Sequence, residues 1–423
     1  MMIKAATLLQ RQTDLQSPRR GPGRIQILDG LRLLAALLVV CWHYAAFGHD
    51  DDLHPYAKVS ALYPVAAYGW LGVELFFLIS GFVIAMSSMG RTVPQFITSR
   101  VTRLYPAYWF GILLTTIITM IWSDARTPPP LSDVAVNLTM LESHWENVQQ
   151  VDAVYWTLWV ELHFYVLFLL VVWRGFTYRK ASLFCAVWLV GCYVFRTPYT
   201  HANLFLIAQY APFFIAGLAF FLIRQFGNKP ILWVYIGVSF WLGLPIVKAT
   251  VISSNNHLAT PMPILPAIII LAGFFVLMAA VALDLIRARW KWLTVAGALT
   301  YPLYLVHEYI GWTILKALDP HLPGWVLLIG TVALMLGAAW LIHRYVERPV
   351  APLLRRALTA LFALLGRVWA YARGRLHAVP TARPVAHGVA DPASKPLPDV
   401  PTFRQRTAPV VEMPERAEAR RSP

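Results

Sequence analysis

The sequence predicts an all-α, polytopic membrane helix bundle of about ten transmembrane helices, with the N- and C-termini both cytoplasmic. Three observations predict it. The first is composition: 58% of the 423 residues are hydrophobic and only 13% are charged, where a soluble domain carries about 25% charged residues. The second is a succession of apolar runs near the roughly 20 residues that a bilayer core requires. The third is the placement of Lys and Arg, which crowd every second loop. The formal charge of +15 therefore reads as membrane topology, and no nucleic-acid partner is expected. The chain is too apolar and aromatic for wholesale disorder, and three cysteines exclude a disulfide-stapled secreted module.

Residues 1–26 form a basic segment holding Lys4, Arg11, Arg19, Arg20 and Arg24. No long apolar run leads to a small-residue cleavage site there, so it does not read as a signal peptide. Spans are predicted at 31–47, 70–88, 104–122, 155–173, 181–196, 204–223, 231–248, 263–284, 294–315 and 325–343. One set of loops holds Arg91, Arg100 and Arg103, then Arg174, Arg179 and Lys180, then Arg224 and Lys229, then Arg287, Arg289 and Lys291. The opposite set holds Lys58 and Arg126, with Arg196, Lys248 and Lys316 at helix ends. The first set is cytoplasmic by the positive-inside rule, and an even number of spans returns the C-terminus to that side. The outer segment from Ser123 to Val154, with Pro128, Pro129 and Pro130, is long enough to cap the bundle. Residues 351–376 mix arginines with apolar positions and read as an amphipathic helix on the inner leaflet. Residues 377–423, rich in Pro, Ala, Arg and Val without helical periodicity, read as a disordered cytoplasmic tail. The transmembrane domain is thus 27–350, and no internal repeat suggests an inverted-repeat transporter.

Ionisable residues inside spans are costly and face the bundle interior. That filter selects Arg32, His43, Glu74, Glu161 and His307, with Glu308 adjacent. Arg32 and His43 are eleven residues apart on the first span, so they share a face and stand about 16 Å apart along the axis. Arginine binds phosphate bidentately; histidine exchanges protons near neutral pH. Glu74, Glu161 and His307 fall at depths similar to that of His43, so groups from distant spans are candidates for one site; separate structural hydrogen bonds are the alternative. Arg100 and Arg103, three apart at the start of the third span, form with Arg32 a candidate anion cradle. His49, Asp50, Asp51, Asp52 and His54 carry metal-capable side chains, but such runs are ordinarily solvated loop, and no metal site is assigned. Cys41, Cys185 and Cys192 read as packing residues. No phosphate-binding loop, zinc-protease signature or nucleophile elbow occurs.

Six segments, in order, resemble the acyltransferase-3 family of integral membrane O-acyltransferases: ILDGLRLLAALLVVCWHYA (27–45), LGVELFFLISGFVI (71–84), FITSRVTRLYPAYW (96–109), YWTLWVELHFYVL (155–167), YPLYLVHEYI (301–310) and VERPV (346–350). Leu33 stands where a Gly commonly follows the Arg, Leu162 and His163 where Glu-Gln is frequent, and Pro302 interrupts the late motif. No outer loop is long enough for a fused hydrolase-like domain. The resemblance implies a multi-pass protein of the bacterial cytoplasmic membrane. It also implies transfer of an acyl group, usually acetyl, from a cytoplasmic acyl-CoA to a hydroxyl of an envelope glycan, exopolysaccharide or lipid-linked sugar; small acceptors such as macrolides also occur. The coenzyme is then a donor substrate, no cofactor is bound permanently, and the other partners are the glycan acceptor and membrane lipids. Joined to the residue reading, Arg32, Arg100 and Arg103 bind the donor phosphates. His43 is base or nucleophile, Glu74 or Glu161 orients it, and His307 polarises the thioester or binds the sugar. The rival is a transporter or flippase of a sugar or acylated metabolite, since buried His and Glu also build proton relays.

Overall fold

The structure, a computed structural model, describes residues 24–48, 57–123, 126–195, 201–288, 290–319 and 321–376. The basic segment before residue 24, the His49–His54 cluster and the tail 377–423 lie outside the described residues. The chain divides between Val368 and Trp369; in the second unit, Arg373 stacks over the Trp369 ring at 4.9 Å. Everything else concerns the first unit.

Among the described residues every regular element is helical. The principal helices are α1 (Gln26–Ala45), α2 (Gly72–Ser88), α3 (Val93–Ile121), α4 (Trp156–Val172), α5 (Tyr178–Val194), α6 (Ala211–Phe226), α7 (Pro230–Ser254), α8 (Ile264–Ala282), α9 (Lys291–Val306), α10 (Glu308–Leu318), α11 (Gly324–Ile342) and α12 (Arg348–Leu376). Eight helical segments are long and apolar enough to cross a membrane: Gln26–Ala45, Tyr63–Ser88, Val93–Ile121, Ala153–Val172, Leu204–Phe226, Pro230–His257, Ile264–Ala282 and Gly324–Arg373. They make this a multi-pass membrane protein. The two other predicted spans are also helical, one shorter and one divided. Helix α5 has 17 residues, and the predicted span 294–315 is broken at His307 into α9 and α10. Residue 351 opens no new element: α11 passes through one π-helical stretch, His343–Glu347, into α12, which runs on to Leu376.

Local chemistry sets the ends. Thr92 and Gln95 form a reciprocal capping box at the start of α3, satisfying two amides that the first turn leaves unpaired. It starts the helix before the basic residues, so Arg100 and Arg103 ride on α3 rather than in a loop. With 29 residues, α3 is about 44 Å long.

Helices α2 and α6 cross most closely. A Cβ at Gly81 would strike the backbone of Phe214, and one at Gly217 that of Leu78, so the two glycines admit each other's helix reciprocally. Helix α1, which carries Arg32 and His43, packs against α2 and α9.

The connection after α3 folds back along that helix instead of leaving it. Tyr108 donates to the Asn137 carbonyl at 2.8 Å, Trp109 to that of Leu138 at 3.0 Å and Tyr105 to that of Thr139 at 3.0 Å. The Asn137 amide ties the segment together, donating to the Gln149 carbonyl at 2.9 Å and accepting from the Val151 amide at 3.0 Å. Underneath, the Glu142 carboxyl is fully buried, and burial pushes it up to about 7.

Two outcomes are expected. Gly217→Leu overpacks the α2–α6 crossing by about 3 kcal/mol or more, lost as monodisperse protein in size-exclusion chromatography; a wild-type profile would show that the helices have slack. The raised Glu142 carboxyl contributes stability that is fully present below its ordinary value near 4.5 and lost as pH rises through about 7. Glu142→Gln should therefore flatten the stability profile between pH 5 and 8 and gain about 3 kcal/mol at the alkaline end. Thermal unfolding in detergent reads this, and parallel profiles for the two proteins would refute it.

Candidate active site

Two polar clusters occupy the interior, joined by one tyrosine. The first is a histidine pair. His43, in the last turn of α1, and His307, at the break between α9 and α10, face each other with Nδ1 of His43 3.0 Å from Nε2 of His307. His307 Nδ1 lies 2.8 Å from the Tyr304 carbonyl. A carbonyl only accepts, so Nδ1 of His307 carries the proton and its Nε2 is the acceptor. The bond between the rings must then be donated by His43 Nδ1. This leaves the His43 lone pair on Nε2, which faces the Glu308 Oε1 at 3.7 Å. The tautomers thus follow from one backbone carbonyl.

The His307 carbonyl accepts the Gly311 amide at 3.1 Å and a second donor as well. The Tyr44 hydroxyl donates to the His307 carbonyl at 2.5 Å. A Cβ at Gly311 would collide with the Tyr44 ring, so Gly311 clears the space for that ring. Trp312 Nε1 donates to the His43 carbonyl at 3.1 Å, fixing the end of α1. Asp152 lies against Glu308 and accepts from the amides of Val154 and Tyr309, both at 3.3 Å. His307 and Asp152 are fully buried and Glu308 is 3% exposed.

The second cluster lines a cavity of about 500 Å³ whose walls include Arg32, Arg100, Arg103, Glu161, Tyr165, Tyr301, Tyr304 and Glu347. All three arginines singled out in the sequence meet there, from α1 and α3. Glu161 accepts from Ser80 at 3.1 Å and from Tyr165 at 2.6 Å. Glu347, on the π-helical stretch, takes His343 Nδ1 at 2.6 Å and Arg103 at 3.8 Å. Arg103 also lies over the Tyr301 ring at 5.8 Å. The wide π turn delivers Glu347 inward, a common use of such insertions.

The predicted site residues therefore divide. His43 and His307 touch; Arg32, Arg100, Arg103 and Glu161 share the cavity. Glu161 stands with the arginines rather than beside the imidazoles. Glu74 is buried on α2 beside Tyr210, outside the cavity wall. Tyr304 links the clusters: its ring lines the cavity, its centroid is 5.5 Å from that of His307, and its hydroxyl accepts from Thr157 at 2.9 Å.

Tyr44, Asp152, Tyr304 and Glu347 received no role from the sequence. Glu347 stands inside the quoted VERPV motif, and Tyr304 stands one helical turn before His307, so both carried a signal. Asp152 sits in a loop, and only folding brings it to Glu308.

Residues 25–344 match the family defined by an acyltransferase domain, acyltransferase-3. The O-acetyltransferase OatA of Staphylococcus aureus is 28% identical over 180 residues, 38% of this chain and 26% of its own length. Protein 2 in the picA locus of Rhizobium radiobacter is 33% identical over 125 residues, 28% of this chain and 56% of its own. The acyltransferase MdmB of Streptomyces mycarofaciens is 29% identical over 153 residues, 34% of this chain and 38% of its own. The chain thus spans about a quarter of the first of these relatives and less than two thirds of the other two. No solved structure matches it. With the six ordered motifs on one helical scaffold and a family match that runs from the start of α1 to the π-helical turn, the chain belongs to the acyltransferase-3 family.

Proposed function

We propose that the protein is an O-acyltransferase of the bacterial cytoplasmic membrane, moving an acyl group, most simply acetyl, from a cytoplasmic acyl-CoA to a hydroxyl of an envelope or exported carbohydrate. One observation carries the reading: an arginine-lined cavity ends at Tyr304, whose carbonyl sets the tautomer of a histidine pair. Guanidinium groups suit a phosphate-rich donor, and a neutral imidazole suits a hydroxyl that must lose its proton. The names of OatA and MdmB favour acyl transfer. Lys and Arg placement puts the arginine end in the cytoplasm and both termini with it.

In this reading Arg32, Arg100 and Arg103 hold the donor phosphates, with Glu347 setting the position of Arg103. The coenzyme arm runs along α1 towards Tyr304, which must swing or yield to admit the thioester. His43 Nε2 takes the proton of the acceptor hydroxyl as the oxygen bonds to the thioester carbonyl carbon. The carbon–sulfur bond breaks, and the imidazolium returns its proton to the departing thiolate. The products are the O-ester and the free thiol. Glu308, 3.7 Å from Nε2, stabilises the transient imidazolium, and Asp152 shares a proton with it across the adjoining carboxyls. His307 orients His43. Glu74 takes no part in this step.

Membranes holding His43→Ala at wild-type abundance should transfer labelled acetyl from acetyl-CoA to glycan at least about 10²-fold more slowly. Activity close to wild type would remove His43 as the proton acceptor. Glycan mass spectrometry with and without the gene should differ by one acetyl group. Solute movement into proteoliposomes without coenzyme, and no glycan change, would favour a transporter instead.

A further inference from the structure

The cavity carries a second level of cations beyond the three arginines. Arg348 and Arg355, both on α12, line it as well. They are seven residues apart, so they share a helix face about 10 Å apart along the axis. Both are exposed, as is Arg103, whereas Arg32 and Arg100 are partly buried. Arg91, just before α3, stands outside the cavity wall but near Arg100 and Arg355. Burial and the like charges of Arg100 and Arg355 hold its guanidinium below its ordinary value.

Five arginines line the cavity against two carboxylates, and both carboxylates are engaged. Glu161 is taken by Ser80 and Tyr165, and Glu347 by His343 and Arg103. Among the described residues, no ion pair is formed by Arg91, Arg348 or Arg355. Like charges held together at a cavity mouth raise the energy of the empty site, and an anion of matching charge removes that cost. A coenzyme A donor carries phosphate in two separate places: a diphosphate bridge, and a 3′-phosphomonoester on the ribose at the far end from the thioester. A donor that enters thioester first leaves the ribose end at the mouth.

We infer that Arg348 and Arg355, with Arg91 beside them, bind the ribose 3′-phosphate, while Arg32, Arg100 and Arg103 bind the diphosphate. The outer level is thereby a specificity element that separates coenzyme A from donors lacking that phosphate. It rests on the donor reading above. It also assigns a task to α12, which lies beyond the 25–344 family match.

The test is titration calorimetry of full-length protein in detergent with coenzyme A and with 3′-dephospho-coenzyme A. Wild type should prefer coenzyme A by about 30-fold, the range of a charge-assisted hydrogen-bond pair. In the Arg348→Ala/Arg355→Ala protein that preference should fall to within about 3-fold, with affinity for the dephospho compound unchanged, which also reports an intact fold. Arg100→Ala/Arg103→Ala should weaken both ligands together. Equal binding of the two ligands by wild type, or equal weakening of both by the α12 substitutions, overturns the inference and leaves the donor reading standing. Binding of neither ligand by wild type overturns both.

Discussion

The hydrogen bond from His307 Nδ1 to the Tyr304 carbonyl governs the chemistry of the interior. It fixes which nitrogen of His307 accepts, hence which nitrogen of His43 donates, hence where the reactive lone pair lies. The bond lies at the junction of α9 and α10, where His307 separates the two helices. Tyr44 and Gly311 meet at that junction: one binds the His307 carbonyl, the other leaves room for the ring that does so. A tautomer chosen by backbone is harder to perturb than one chosen by a titrating neighbour.

Charge is sorted along the same axis. Five guanidinium groups line the cavity with two carboxylates, Glu161 and Glu347, while His43, His307, Asp152 and Glu308 make up the other cluster. In low dielectric such groups interact strongly; Glu347 pairs with Arg103, and the arginines outnumber the carboxylates of the cavity, which suits a polyanion. Helix α2, fixed to α6 by the glycine-mediated crossing, supplies one wall of the arginine cavity.

Much of this was legible in the sequence because membranes restrict what chains can do. Backbone groups must pair internally, so spans announce themselves as apolar runs, and charged residues within them stand out. Arg32 and His43 were found on one helical face by counting residues, and Arg100 and Arg103 by their spacing. The break at His307 was not legible, since 294–315 reads as one apolar run. The company of Glu161 was also hidden: its depth resembles that of His43, but rotation about the helix axis decides which cluster it joins. Asp152 required the fold, because its partner is 156 positions away in the chain. The continuity of α11 into α12 went unseen because arginine density marks an environment, whereas helical hydrogen bonding ignores it.

The most direct measurement is a double-mutant cycle on acetyl transfer using His43→Ala, His307→Ala and the doubly substituted protein, each at matched abundance in membranes. If His307 acts only by holding His43, the double substitution will be no slower than His43→Ala alone, as groups acting as one unit are non-additive. If the two losses multiply, or if His307→Ala transfers acetyl at the wild-type rate, the imidazoles act separately and the backbone-set base is wrong.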